Sequence, residues 1–229
     1  MWEFTAALVT FVMSHSVPAI PRVRARLVAS VGETPYRIAY GLVSILLLAW
    51  LITATGRSPY IALWAPEPWH AAIALVGMPV SLALIGAAAL TPNPLSINLR
   101  AVEYDPARPG VVAITRHPML WGLALWAFSH LFANGDLVSV ILFGGLGLFA
   151  VRGMLVFDRR MHRKLGGETW QRLAGNTSVL PFAAIVAGRA RLAADGRMVL
   201  GALLGLGVYV WMLFQGHDLL IGADPLAWF

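Results

Sequence analysis

The chain has 229 residues, of which 59% are apolar and only 12% charged, with a formal net charge of +6 and no cysteine. That little polar surface cannot coat a soluble globule, and a mean hydropathy of +0.72 points to lipid as the solvent. Without cysteine, disulfides, thiolate nucleophiles, iron–sulfur clusters, cysteine-ligated zinc and covalent c-type haem are excluded, so any bound metal or haem must use His, Met, carboxylate or Tyr.

Six apolar runs predict membrane helices in chain order: Phe4 to Ile20, Ile38 to Thr53, Trp69 to Leu90, Met119 to Ala133, Leu137 to Val156 and Met198 to Phe214. The first is read as a retained helix rather than a signal peptide, because its leading residues hold Glu3 and no Lys or Arg. The predicted fold is all-α, a polytopic membrane bundle of about six transmembrane helices forming one domain over residues 1–229. Every Lys and Arg except Arg57 falls in alternate loops on one side: Arg22 to Arg37, Arg100 to Arg116, and Arg152 to Arg197. This asymmetry predicts both termini on the outer side and three loops in the cytoplasm; the expected location is a bacterial inner (cell) membrane. It also assigns the positive charge to the lipid bilayer and not to nucleic acid. The segment 157–197 mixes charge with Met161, Leu165, Trp170, Leu173, Val179 and Phe182, and is read as a cytoplasmic amphipathic stretch broken near Gly166-Gly167 and Pro181. The Thr91-Pro92-Asn93-Pro94 run reads as helix punctuation.

An ionisable side chain inside an apolar run is costly and tends to be retained for function. His15 lies near the inner end of the first run, before Pro18, Pro21 and the arginines at 22, 24 and 26, and His130 lies far along the fourth. His117, in Thr-Arg-His-Pro, opens that fourth helix, with Pro118 suited to its first turn. Thirteen positions on, His130 stands about 20 Å further along the axis, so the two cannot share one small metal ion. Arg116 beside His117 forms a cationic cluster able to meet a carboxylate, propionate or phosphate. A membrane b-type haem needs two axial donors from different helices and cationic groups for its propionates, which this inventory offers. His15 pairs with His130 or with His117 at a comparable depth offset of about 10 Å, so depth does not choose between them. His70, His162 and His217 read as solvated interfacial residues, and Trp121 and Trp126 as pocket aromatics. Nucleotide-loop, nucleophile-elbow and zincin motifs are absent, which removes the usual soluble catalytic chemistries.

His15 followed by Arg22, the stretch Thr115 to Gly135, and Trp170 with Asn176 to Phe182 resemble the NnrU family of integral membrane proteins. That family is associated with denitrification and nitric oxide metabolism, and is similar to the plastid zeta-carotene isomerases, haem b enzymes with histidine ligands. The resemblance implies His15 and His130 as axial ligands of haem b, His117 as a pocket residue, and Arg22, Arg26 and Arg116 as available to the propionates. It implies redox or isomerase-like chemistry with a redox partner or a hydrophobic small-molecule substrate.

A more distant resemblance is to isoprenylcysteine and phospholipid methyltransferases, through Arg116-His117-Pro118 and the segment from Asp158 to Pro181. Here Leu120 replaces a usual Tyr, and Asp158-Arg159-Arg160 replaces paired glutamates. Two alternatives therefore stand beside the haem reading: a membrane methyltransferase using S-adenosylmethionine, and a non-enzymatic assembly or regulatory membrane protein.

Overall fold

The computed structural model describes residues 1–99 and 103–229, and among them the regular elements are helical apart from one isolated bridge between Ala62 and Asp136. Arg100, one of the expected inner-side cations, lies outside the described residues. The chain divides into two compact units, Met1–Leu63 with Asp136–Leu142, and Trp64–Gly135 with Phe143–Phe229.

The first unit holds α1 (Trp2–Ser16), α2 (Pro21–Val31) and α3 (Glu33–Gly56). Phe4, Ala7 and Phe11 recur at helical spacing and bury one face of α1 against Leu51 and Ala54 of α3. Trp50 Nε1 and Arg57 both donate to Glu3, each at 3.3 Å, which ties the start of α1 to the end of α3 and makes the pair antiparallel. The first apolar run, expected to reach Ile20, ends as a helix at Ser16, and α2 departs from α1 at 82°. Pro18 and Pro21 explain the break: neither can donate to a continuing helical ladder, and Pro21 suits the first position of a new helix. Gly32, at φ +87°, makes the next corner, and Arg24 pairs with Glu33 at 2.6 Å across it. Asp136 Oδ1 accepts the amides of Val138 and Ser139, capping the helix that starts at Leu137.

The second unit holds α4 (Pro68–Leu90), a 3₁₀ turn at Gly110–Ala113, α5 (Pro118–Ala133), the body of α6 (Leu137–Leu165), α7 (Gly167–Ala174), α8 (Ala183–Val186), α9 (Gly196–Trp211), a π turn at Met212–Gly216 and α10 (His217–Ile221). Among the described residues four helices are long and apolar enough to cross a membrane (α3, α4, α6, and Gly196–Ile221), or five if α1 with α2 is one bent span. α5 is shorter, so the expected six reduces to that smaller count plus one short apolar helix. α4 packs against both α5 and α9. Small residues make this possible: a Cβ on Gly201 or Gly205 would meet the backbone of Gly86 or Leu82, and Ser81 donates to the Gly122 carbonyl at 2.7 Å. α5 also packs on α6 through Leu120, Ala124, Ala150 and Met154.

Candidate functional site

The Thr-Arg-His-Pro element is non-helical, with His117 at φ −122° and ψ 58°, because the residue before a proline is driven out of the helical region, and Pro118 then opens α5. This stretch of backbone is held by the loop after α7. Arg116 N–H donates to the Ser178 carbonyl at 2.7 Å, Phe182 N–H to the Ile114 carbonyl at 2.7 Å, and Thr115 Oγ1 to the Val179 carbonyl at 2.8 Å. Trp121 Nε1 donates to that same Val179 carbonyl at 2.8 Å. From the other side, Asn93 Nδ2 donates to the Arg116 carbonyl at 2.9 Å while its Oδ1 accepts the Leu95 amide at 3.0 Å.

At the centre lies Asp158, in the C-terminal part of α6. One carboxylate oxygen accepts Arg116 Nη1 at 2.5 Å, and the other accepts His117 Nε2 at 2.9 Å. Arg116 Nε donates to Thr177 Oγ1 at 2.9 Å, and its guanidinium lies 5.0 Å over the Trp170 ring. His117 is fully enclosed, and its Nδ1 meets Ser96 Oγ at 2.8 Å. A carboxylate can only accept, so Nε2 carries a proton and donates it to Asp158, while Nδ1 and the Ser96 hydroxyl share the second hydrogen bond. The result is a hydroxyl–imidazole–carboxylate relay braced by a cation, in which both ring nitrogens of His117 and the fork of Arg116 are engaged. Close by, burial pushes the Tyr104 hydroxyl up to about 12, partly opposed by Arg116. Among the described residues this hydroxyl and that of Thr91 are buried with no hydrogen-bond partner.

The second polar position lies at the other end of α5. His130 Nδ1 donates to the Trp126 carbonyl one turn back at 2.8 Å, and its ring stacks on Phe143 at 5.2 Å, with Trp126 at 5.6 Å. Because Nδ1–H donates to the carbonyl, Nε2 is the lone-pair nitrogen of the neutral tautomer, the form in which an imidazole ligates a metal. His217, read from sequence as a solvated tail residue, is instead half-buried against His130, with ring centroids 6.3 Å apart and planes within 16°. His70 also departs from expectation: it is 7% exposed and accepts the Glu67 amide at 3.0 Å in the cap of α4. His162 stands edge-on to Trp170.

In the first unit, His15 Nδ1 donates to the Phe11 carbonyl at 2.8 Å, and the ring packs on Phe11 and edge-on to Tyr40. Arg22 and Arg26 are exposed on α2. His15 therefore belongs to the first unit, and His130, His117 and Arg116 to the second. Sequence reasoning does not single out four residues of the site: Asn93, Ser96 and Thr177, and Asp158 as an anchor. The one signal for them is Asp158 itself, a lone acid where an apolar run gives way to a basic one.

The sequence matches the NnrU protein family over residues 3–225. The chain belongs to the NnrU family. Two curated relatives are similar over a shorter stretch: the chloroplastic 15-cis-zeta-carotene isomerase of Zea mays, 38% identical over 86 residues, and that of Arabidopsis thaliana, 36% identical over 86 residues. The match takes in 38% of this NnrU-family chain and 23% of each relative. No solved structure matches.

Proposed function

We propose that this NnrU-family membrane protein binds b-type haem and uses it for redox or isomerase-like chemistry on a hydrophobic small molecule, and that His130 would be one of the residues that hold the haem. The supporting observation is the preset ring of His130: its Nδ1 proton is fixed on the Trp126 carbonyl, its Nε2 lone pair is available, and Phe143 and Trp126 flank it in an apolar helix. His15, the other donor implied by the family resemblance, has its Nδ1 on the Phe11 carbonyl in the same manner. When bound, haem supplies one-electron chemistry at iron, and two imidazole ligands favour a low-spin state.

The remaining residues hold the helices that carry these rings. Arg116, His117 and Asp158 lock the N-terminal end of α5 to α6, which fixes the rotation of α5 and so the aim of His130. The likeness to zeta-carotene isomerases supports an elongated apolar substrate reached from within the bilayer. The family resemblance connects the activity to denitrification and nitric oxide metabolism. The side bias of Lys and Arg supports an orientation with both termini outside. A methyltransferase reading would direct Arg116 and His117 toward S-adenosylmethionine; both are hydrogen-bonded to Asp158, which leaves that reading without a structural observation in its favour.

The test is an ultraviolet–visible spectrum of the purified protein, oxidised and reduced, after expression with ample haem. A Soret band that weakens in His130→Ala is the expected result. A wild-type protein without one refutes the proposal.

A further inference from the structure

We propose that the exposed face of the C-terminal half of α6 holds an anionic phospholipid, with its phosphate gripped by Arg152, Arg159 and Arg163 and an acyl chain lying along Leu148. The site is separate from the haem reading, since it lies on the face of α6 turned away from α5.

Helical spacing makes this face. At about 100° per residue, Leu148, Arg152, Leu155, Val156, Arg159 and Arg163 fall within an arc of about 100°, and all six are exposed. Leu148 keeps 65% of its surface and Leu155 51%. On the other side of the helix Ala150, Met154 and Met161 are buried, the first two against Leu120 and Ala124 of α5. One side of α6 is thus used by the bundle, and the other is left to the bilayer.

The arginines on that outer face have no protein partner. Among the described residues the ion pairs involve Arg24, Arg57, Arg116 and His117, and none involves Arg152, Arg159 or Arg163. The acid next to them in sequence, Asp158, has both oxygens taken by Arg116 and His117. An unpaired guanidinium against lipid is costly. Arg152 meets that cost most directly, because exposed apolar side chains flank it along the helix on both sides, Leu148 before it and Leu155 and Val156 after it. Arg159 and Arg163 follow at about 10 Å and 16 Å of rise. Helical side chains lean toward the N-terminus, so these two reach back toward Arg152, while Arg152 itself leans into the apolar part and not out to water. One anion brought to the edge of the apolar part serves all three.

Charge and shape together select the occupant. Three cations without an acid require a net negative ligand, and the guanidinium fork matches the oxygens of a phosphate. The leucines and the valine set among the arginines require an apolar chain attached to it. An anionic phospholipid supplies both.

The experiment uses the full chain in neutral detergent, titrated with phosphatidylglycerol, phosphatidylcholine or inorganic phosphate and followed by native mass spectrometry and thermal unfolding. The variants are Arg152→Gln, the double variant Arg159→Gln with Arg163→Gln, and Arg172→Gln, a change at an exposed cation on α7. Phosphatidylglycerol is expected to bind the wild type and raise its unfolding midpoint, where phosphatidylcholine and inorganic phosphate do not. Its binding should weaken about five-fold in Arg152→Gln and about 25-fold in the double variant, with Arg172→Gln like the wild type. Equal responses to phosphatidylglycerol and phosphatidylcholine, or to phosphatidylglycerol and inorganic phosphate, overturn the proposal. So does a loss in Arg172→Gln as large as in Arg152→Gln, which would mean diffuse attraction by the whole basic segment. A wild-type dimer that Arg152→Gln dissociates, with no preference for phosphatidylglycerol, also overturns it and gives the face to a second copy of this chain. If Arg152→Gln does not fold, the double variant decides.

Discussion

Replacing Asp158 with asparagine removes the one negative charge at the crossing of α5 and α6 while keeping size and one acceptor oxygen. In the native protein that carboxylate accepts Arg116 at 2.5 Å and His117 at 2.9 Å. The side chains are 12% exposed for Arg116, 0% for His117 and 19% for Asp158. Breaking a buried pair by removing one partner costs about 3–5 kcal/mol, because the surviving charge stays desolvated. The amide oxygen of asparagine still accepts the His117 Nε2 proton, which moves the expectation to about 2–4 kcal/mol. For a chain of this size that lowers the unfolding midpoint by roughly 5–15 °C. The assay is thermal unfolding in detergent of Asp158→Asn, Arg116→Met and the double variant. Arg116→Met is expected to destabilise comparably, and the double variant to lose less than the two singles together by about 1–3 kcal/mol. Additivity within about 0.5 kcal/mol would mean that Arg116 and Asp158 act independently, and would refute the reasoning.

Ser96→Ala strands the buried Nδ1 of His117 and is expected to cost about 1–2 kcal/mol in the same unfolding assay, whereas Tyr104→Phe removes a hydroxyl that has no partner and leaves stability unchanged or slightly raised. Tyr104 also sets a pH dependence. Its hydroxyl keeps its proton to about 12 in the fold, so the stability it lends is full below pH 10 and is lost, by about 2–3 kcal/mol, as pH climbs to 12. Midpoints measured against pH should fall less steeply over that window in Tyr104→Phe. Gly205→Ala drives a methyl into the Leu82 backbone at the α4–α9 seam and is expected to cost about 1–3 kcal/mol, seen as a lower midpoint in detergent. In Gly77→Val the new side chain meets Ser129, beside His130, and the expected result is a haem spectrum altered in spin state with the Arg116 network intact.

Much of the helical plan is legible in the sequence because a chain in lipid must satisfy its backbone internally, which makes apolar length a direct reading of helix position. Trp69 to Leu90 and Met119 to Ala133 fall within a residue of α4 and α5. The errors have local causes. Pro18 and Pro21 cut the first run short at Ser16, and α6 runs past its apolar part to Leu165 because nothing before Gly166 stops a helix. The site is half legible. Thr-Arg-His-Pro announces Arg116 and His117 by chemistry, and the apolar setting announces His130. Their partners are hidden, since Ser96, Asp158 and Thr177 reach this point across long stretches of chain and no periodicity encodes such meetings. Hydropathy registers His217 only as a polar residue after an apolar run and does not show that it is half-buried with its ring beside that of His130.

The two ends of α5 divide the work between them. At the N-terminal end the polar atoms of Arg116 and His117 are matched to neighbours, so this end resists rotation and sliding. Along its length, the Ser81–Gly122 hydrogen bond and the close approach of Gly77 to Ser129 fix α5 against α4 with no slack for a bulkier side chain. A helix held in this way at one end and along one face has a determined rotation at the other, where each residue turned is about 100° of aim. His130 sits at that other end, three residues before the helix stops, with its proton already fixed on its own backbone. The closed network therefore acts on the open nitrogen at a distance, through the rigidity of one short helix. A substitution among Arg116, His117 and Asp158 should accordingly appear in the spectrum of a ligand at His130 as well as in the unfolding midpoint.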